Sequence, residues 1–266
     1  KPRGGSIRFD GAGATVSGDK VTISEQGTYV VTGALGDGQI IVDLEEKGVV
    51  KLVLNGADIA CSTSAPIYVK NADKTVIVLA AGTQNTIADG ASYTLEDTDS
   101  DEPNAAIFSK DDLTINGSGS LTVTANYNNG IASKDDLKIV SGTITVTAVN
   151  DGIKGRDCIG IKDGVITVDA GGDGLQANND ADADQGYIDI QGGILDITAG
   201  TDGIQAETTL LVGAGDLTLS TGGGSVVSSS DADGGWGDWG RDRQGGWPGS
   251  TPDTPDATTG GGTGAA

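Results

Sequence analysis

Asn150-Asp151-Gly152-Ile153, Gly172-Asp173-Gly174-Leu175 and Thr201-Asp202-Gly203-Ile204 repeat one phrase, and Asn128-Asn129-Gly130-Ile131 is a weaker copy upstream. Asp151 follows Asn129 by 22 residues, Asp173 follows Asp151 by 22, and Asp202 follows Asp173 by 29, as though about seven residues were inserted. Near-constant spacing of this length is the signature of a repeat architecture, and it predicts that the acids line up in one column.

Between the copies lies a second constant feature. Gly142-Thr143-Ile144-Thr145-Val146-Thr147, Gly164-Val165-Ile166-Thr167-Val168-Asp169, Gly193-Ile194-Leu195-Asp196-Ile197-Thr198 and Gly215-Asp216-Leu217-Thr218-Leu219-Ser220 alternate aliphatic with Thr or Asp and begin at Gly. That pattern predicts short strands with one face inward. No window carries helical period. One repeat cannot bury its own apolar face, so successive turns must stack and share a column of Ile, Leu and Val. The expected fold is all-β, a right-handed parallel β-helix (solenoid). The alternative, a calcium-binding nonapeptide roll, needs Gly-Gly-x-Gly-x-Asp about every nine residues, a period this chain lacks.

Composition fits corner-rich turns with small inward aliphatics: 45 Gly, three Trp, five Tyr, two Phe, no His and no Met in 266 residues. The net charge of -22 argues against nucleic acid as a partner. No stretch approaches the roughly 20 apolar residues that span a bilayer. The missing Met suggests that the sequence does not begin at a native start. Cys61 and Cys158, 97 residues apart, are expected to be two buried thiols, with a disulfide the lesser alternative. Without His or paired Cys spacing they make no ordinary zinc site.

The domain plan is one β-helix over residues 1–225, irregular in its first hundred residues and regular from 104 to 225. A Gly/Trp/Pro-rich tail follows over 226–266, partly packed or disordered. Looser strands are expected at Val49 to Leu54 and Thr75 to Leu79. The acidic run Glu96 to Glu102 reads as a solvated loop, or else a cation site. Trp236, Trp239 and Trp247 are read as a cap over the last turn, or as sugar platforms.

Stacked carboxylates about 4.8 Å apart repel by roughly 1 kcal/mol in water and about 3 at an effective dielectric near 20, so a positive partner is expected. Calcium suits corners that offer carboxylates, Asn amides and free carbonyls. Asn129, Asp151, Asp173 and Asp202 supply the column, and the inserted segment Asn178-Asn179-Asp180-Ala181-Asp182-Ala183-Asp184 would close the shell from outside. The plainer reading is an Asp-Gly turn chosen for left-handed φ. A second column, Lys110, Lys134 and Arg156, is followed at once by Asp111, Asp135 and Asp157. It is either a surface ion-pair ladder or a cationic strip for the carboxylates of an acidic sugar polymer. Tyr127 and Tyr187 flank the corners as candidate sugar platforms.

The run from Asn150 to Asp157, the run from Gly172 to Asn179, and Gly186 to Gly193 leading into Asp202-Gly203-Ile204 together resemble a bacterial carbohydrate-binding family. The family's members are extracellular proteins of cellulose degraders, with a pectate-lyase-like right-handed β-helix, bound calcium, and binding of cellulose and acidic sugars. The resemblance is strongest over residues 104–225. It implies calcium at Asp151, Asp157, Asp173, Asn178, Asn179, Asp180 and Asp202, a plant cell-wall polysaccharide partner (cellulose or polygalacturonate-type), and a secreted or cell-surface location. Binding is favoured over catalysis. An active uronate lyase would need a base, for which Lys154 and Arg156 are the weak candidates, and an adhesin-like solenoid without a glycan ligand is the third reading.

Overall fold

The computed structural model describes residues 10–95 and 99–222. The expectations placed on residues 96–98 and on the tail, including its three Trp, lie outside the described residues. The chain divides into two units, Lys1–Gly223 and Gly224–Ala266. The account below concerns the first.

All regular structure among the described residues is β, in one 9-stranded and one 14-stranded sheet. The chain visits three strand positions in turn. One course runs through Asn129–Ser133, Asp136–Ile139 and Thr143–Ala148, the next through Ile153–Gly155, Cys158–Ile161 and Val165–Ala170, and a third through Leu175–Ala177, Tyr187–Ile190 and Ile194–Ala199. Like pairs with like, in parallel. Ile131 meets Ile153, which meets Leu175 and then Ile204. Leu137 meets Ile159 and then Ile188, and Ile144 meets Ile166 and then Leu195.

The long strand Val49–Cys61 serves two positions at once. Val49 to Leu54 pair with Lys74–Leu79, while Asp58 to Cys61 pair with Gln84–Asp89. Later courses break this span into two strands. The 14-stranded sheet is therefore two stacks joined through one strand.

The inward rows are aliphatic throughout. Ile107, Ile131, Ile153 and Leu175 are wholly buried, as are Leu113, Leu137, Ile159 and Ile188. Burying each such side chain contributes about 1.5–3 kcal/mol, so the stack is stabilised row by row. Before the third strand of successive courses, Gly142, Gly164, Gly193 and Gly215 take φ of 125°, 131°, 98° and 115°, a conformation that side chains with a Cβ rarely adopt.

Residues 20–95 follow the same three-position plan with uneven spacing. The paired positions Val21, Ile40, Ile67 and Ile107 are separated by 19, 27 and 40 residues. The last interval holds the connection between Asp89 and Ala105. From it Tyr93 packs on a small outer cluster of Ala65, Tyr68, Ala105, Phe108 and Ala132. Cys61 and Cys158 are free and buried.

Candidate functional site

The Asp-Gly phrases do form a column, and its hydrogen bonds explain the phrase. Asp151 N–H donates to Asn129 Oδ1 at 3.2 Å, Asp173 N–H to Asp151 Oδ1 at 3.1 Å, and Asp202 N–H to Asp173 Oδ1 at 3.0 Å. In the other direction, the N–H groups of Gly130, Gly152 and Gly174 donate to the carbonyls of Asp151, Asp173 and Asp202 at 2.8–2.9 Å. Each course is thus bonded to the next through a side chain and a peptide at the same corner. The second carboxylate oxygen is held from three residues on: Lys154 Nζ lies 3.1 Å from Asp151 Oδ2, and Gln176 Nε2 donates to Asp173 Oδ2 at 2.5 Å. The Thr201 hydroxyl also donates to Asp173. Asp151 and Asp173 are buried, at 4% and 8% exposure, whereas Asp202 in the last course is exposed.

The glycine of the phrase has a different reason from the one expected. Gly130, Gly152 and Gly174 are absent from the left-handed region; a Cβ on Gly152 would stand 2.3 Å from Val168 Cγ1 and 2.8 Å from the Gly174 carbonyl oxygen. On Gly174 it would stand 2.3 Å from Ile197 Cγ2. Close approach of backbone to the inward row requires these glycines, not φ.

The second column stacks as its spacing predicts, and it is electrostatically unlike the first. Asp111, Asp135 and Asp157 precede strands whose pairing sets Leu113 against Leu137 and Leu137 against Ile159. Lys47 Nζ lies 2.8 Å from Asp111 Oδ1, and the Ala72 N–H donates to Asp111 Oδ2 at 2.9 Å. Asn179 Nδ2 donates to Asp157 Oδ1 at 2.5 Å. Between them, burial pushes the Asp135 carboxyl above its ordinary value, and the charges of Asp157, Asp112, Asp111 and Asp136 push it further.

The inserted segment is anchored on this second column. Besides the amide bond to Asp157, the Asn179 N–H donates to the Arg156 carbonyl at 2.9 Å and the Gly186 N–H to the Asp157 carbonyl at 2.6 Å. Asn179 Oδ1 caps the N–H groups of Ala181 and Asp182, while Asn178, Asp180 and Asp184 are exposed. Asn178 to Asp184 are therefore tied to Asp157.

The cationic strip is largely engaged. Lys110 and Lys134, one course apart, hold the Glu102 carboxylate at 3.0 and 2.8 Å. Burial pushes that carboxyl up, but hydrogen bonds from Lys134 and Lys110 and their charges outweigh it and hold the group below its ordinary value. Arg156 is exposed, with no ion pair among the described residues. Of the two platforms, Tyr127 stacks on Tyr93, with ring centroids 4.0 Å apart at 15°. Tyr187 pairs in register with Cys158, and its phenol is raised to about 12, by its hydrogen bond to the Cys158 thiol first.

Some of the site was not read from the sequence. Asn104 extends the first column upstream, its carbonyl accepting the Asn129 N–H at 3.1 Å. Gln176 and Gln205 stand in register with Lys154 on the outer face of the first stack, and the Oε1 atoms of both are buried with no hydrogen-bond partner. The i+3 offset of Lys154 from Asp151 and Gln176 from Asp173 was the available signal.

Fold and site together define a class: an all-β protein of stacked parallel strands whose corners carry ladders of acids and amides. Residues 17–242 match the family described as carbohydrate-binding domain-containing protein, and the chain belongs to that family. A member from Acetivibrio thermocellus is 48% identical over 136 residues, which cover 51% of this chain and 48% of that protein. The match thus spans about half the length of that relative. The solved structure of the polysaccharide lyase-like protein from C. thermocellum, a gadolinium derivative, is 40% identical with a TM-score of 0.72, over 81% of this chain and 90% of that one.

Proposed function

We propose that this protein binds plant cell-wall polysaccharide, cellulose or an acidic pectin-type polymer, through the outer face of a right-handed β-helix, and that it does so with calcium. The observation that carries the reading is the rail of Lys154, Gln176 and Gln205, one polar side chain per course beside the Asp151–Asp173–Asp202 ladder. Ammonium and amide groups repeated at about 4.8 Å suit a polymer better than a small molecule. Right-handed winding follows from the strong chiral preference of parallel crossovers between L-residue strands. Family membership supports a sugar ligand, and such a ligand implies a secreted or cell-surface location.

No three carboxylate, thiol or imidazole groups among the described residues converge to hold a metal. The remaining chemistry is oxygen-rich all the same. The orphaned Gln176 and Gln205 amide oxygens, beside carboxylates that keep spare lone pairs, suit a cation that accepts mixed oxygen ligands in forgiving geometry. Asp173, Gln176, Asp202 and Gln205 are the residues that would hold it. When bound, calcium would supply positive charge that a uronate polymer needs on so acidic a protein.

A lyase is the second reading, favoured by likeness to a polysaccharide lyase-like structure. Lys154, its candidate base, is engaged as a donor to Asp151. The test is thermal unfolding with calcium or chelator, with and without oligogalacturonate or cellulose oligomer, while absorbance is followed at about 235 nm for an unsaturated product. A midpoint raised by calcium, and raised further by sugar only in its presence, is the expected result. An unchanged midpoint under chelator removes calcium from the reading, failure of every sugar to raise it removes carbohydrate, and rising absorbance makes the protein a lyase.

A further inference from the structure

The third strand position carries an unbroken, regular outer surface. Six strands, Gln84–Asp89, Ser120–Ala125, Thr143–Ala148, Val165–Ala170, Ile194–Ala199 and Asp216–Thr221, pair in parallel with no shift of register. The first, third and fifth residues of each face outward, which makes a grid of three columns by six courses. Its middle column runs Thr86, Thr122, Thr145, Thr167, Asp196, Thr218 at a pitch of about 4.8 Å.

Charge is segregated on this grid. The courses of Gln84–Asp89, Ser120–Ala125 and Thr143–Ala148 present only uncharged residues outward, whereas the next three present one acid each: Asp169, Asp196 and Asp216. No Lys or Arg lies on the grid. Asp151 and Asp173 are held by donors on both oxygens, but the carboxylates of Asp169, Asp196 and Asp216 have no partner among the described residues. On a chain of net charge -22, the uncharged block is a surface that a second copy can approach without acid meeting acid.

A two-fold axis lying in the plane of the grid, parallel to the strands and midway between Thr143–Ala148 and Val165–Ala170, reverses the order of courses and keeps each column on itself. It sets the acid-bearing half of one copy on the uncharged half of the other. Asp169 of one copy then faces Thr147 of the other, Asp196 faces Thr122, and Asp216 faces Gln84, so each carboxylate meets a hydroxyl or amide donor. The same operation lays Val165 and Ile194, 43% and 52% exposed, over Thr143 and Ser120. Six strands of six residues span about 600 Å² on each copy and about 1,200 Å² for the pair, the lower limit for specific protein interfaces.

We infer that this face is an isologous interface between two copies of the chain, with courses running in opposite order across the two-fold axis. It is independent of the carbohydrate reading. The Lys154–Gln176–Gln205 rail lies on the first strand position and stays uncovered in both copies, so the pair would offer two rails to one polymer.

The test is analytical ultracentrifugation of the full chain over a concentration series, at low and at high salt. The expected result is a monomer–dimer equilibrium that tightens as salt screens the repulsion between two acidic copies. Thr122→Asp places a carboxylate against Asp196 twice per dimer and should weaken association about tenfold or more. Thr122→Lys should tighten it several-fold, and Thr122→Asp combined with Asp196→Lys should restore it. Lys162→Gln makes the same net-charge change as Thr122→Asp at an exposed position outside the grid, and should leave association unchanged. Each variant is first shown to keep the wild-type unfolding midpoint. A chain that stays monomeric at every concentration overturns the interface, as does a dimer indifferent to both substitutions at Thr122. Failure of the double variant to recover what Thr122→Asp loses overturns the two-fold pairing.

Discussion

Two acid columns run along this protein one strand apart, and they solve the same electrostatic problem in opposite ways. In the Asn129–Asp151–Asp173–Asp202 column Asn129, Asp151 and Asp173 each accept the peptide N–H of the next course, and Lys154 and Gln176 take the second oxygen of Asp151 and of Asp173. In the Asp111–Asp135–Asp157 column the outer members find Lys47 and Asn179, while Asp135 between them is raised by burial and by its acidic neighbours. Stacking identical acids is therefore stabilising or destabilising according to whether a donor is delivered at the same pitch. The Asp-Gly phrase delivers one every course because the residue that accepts also presents the next N–H.

The first way to break the comparison is through the glycine that lets the corners approach. Gly152→Val would drive a side chain into Val168 and the Gly174 carbonyl, and is expected to destabilise by about 3 kcal/mol in urea unfolding. Gly160→Ala is the control: its Cβ would meet nothing nearer than Lys138 Cγ at 3.5 Å, and the change should stay within about 0.5 kcal/mol. Equal effects would refute the close-approach account.

Asp173→Ala comes next. It strands the Asp202 N–H, the Thr201 hydroxyl and the Gln176 amide, and should cost about 2 kcal/mol, whereas Asp173→Asn keeps an acceptor and should cost less than about 1. If the two variants unfold alike, the ladder does not depend on that acceptor.

The smallest effect has the opposite sign. A carboxyl whose folded value lies above its usual one binds protons more tightly when folded. Its contribution therefore falls as pH rises through that interval and stays unfavourable above it. Asp135→Asn should accordingly raise the unfolding midpoint at pH 7, by less than about 1 kcal/mol after solvent screening, and the gain should vanish in acid where Asp135 is protonated. A loss of stability at pH 7 would mean that Asp135 has a cationic partner, and the two columns would then be alike.

Legibility followed the regularity of the courses. From Ile131 to Leu175 the period is constant, so the Asp-Gly phrase and the strands beside it could be read directly. Between Ile67 and Ile107 the same two positions are 40 residues apart, and no spacing rule links them. The three-position plan of residues 20–95 emerges only when their strands pair. The second column was visible as Lys/Arg-Asp doublets, but its ionic state was not, since Lys47 reaches Asp111 from 64 residues away. In the sequence Glu102 belongs to an acidic run that reads as a solvated loop or else a cation site, and its ion pairs with Lys110 and Lys134 exist only once the chain is folded.

What the sequence determined by itself was the all-β character, the stacking of courses and the alignment of Asp151, Asp173 and Asp202. Those follow from local alternation and from a repeat that cannot bury its apolar face alone. Tertiary structure alone decided which acids found donors, why the phrase needs its glycine, and which lysines the acids hold. Hydrogen bonds and ion pairs between courses depend on distances of a few ångströms among residues that the chain order leaves far apart.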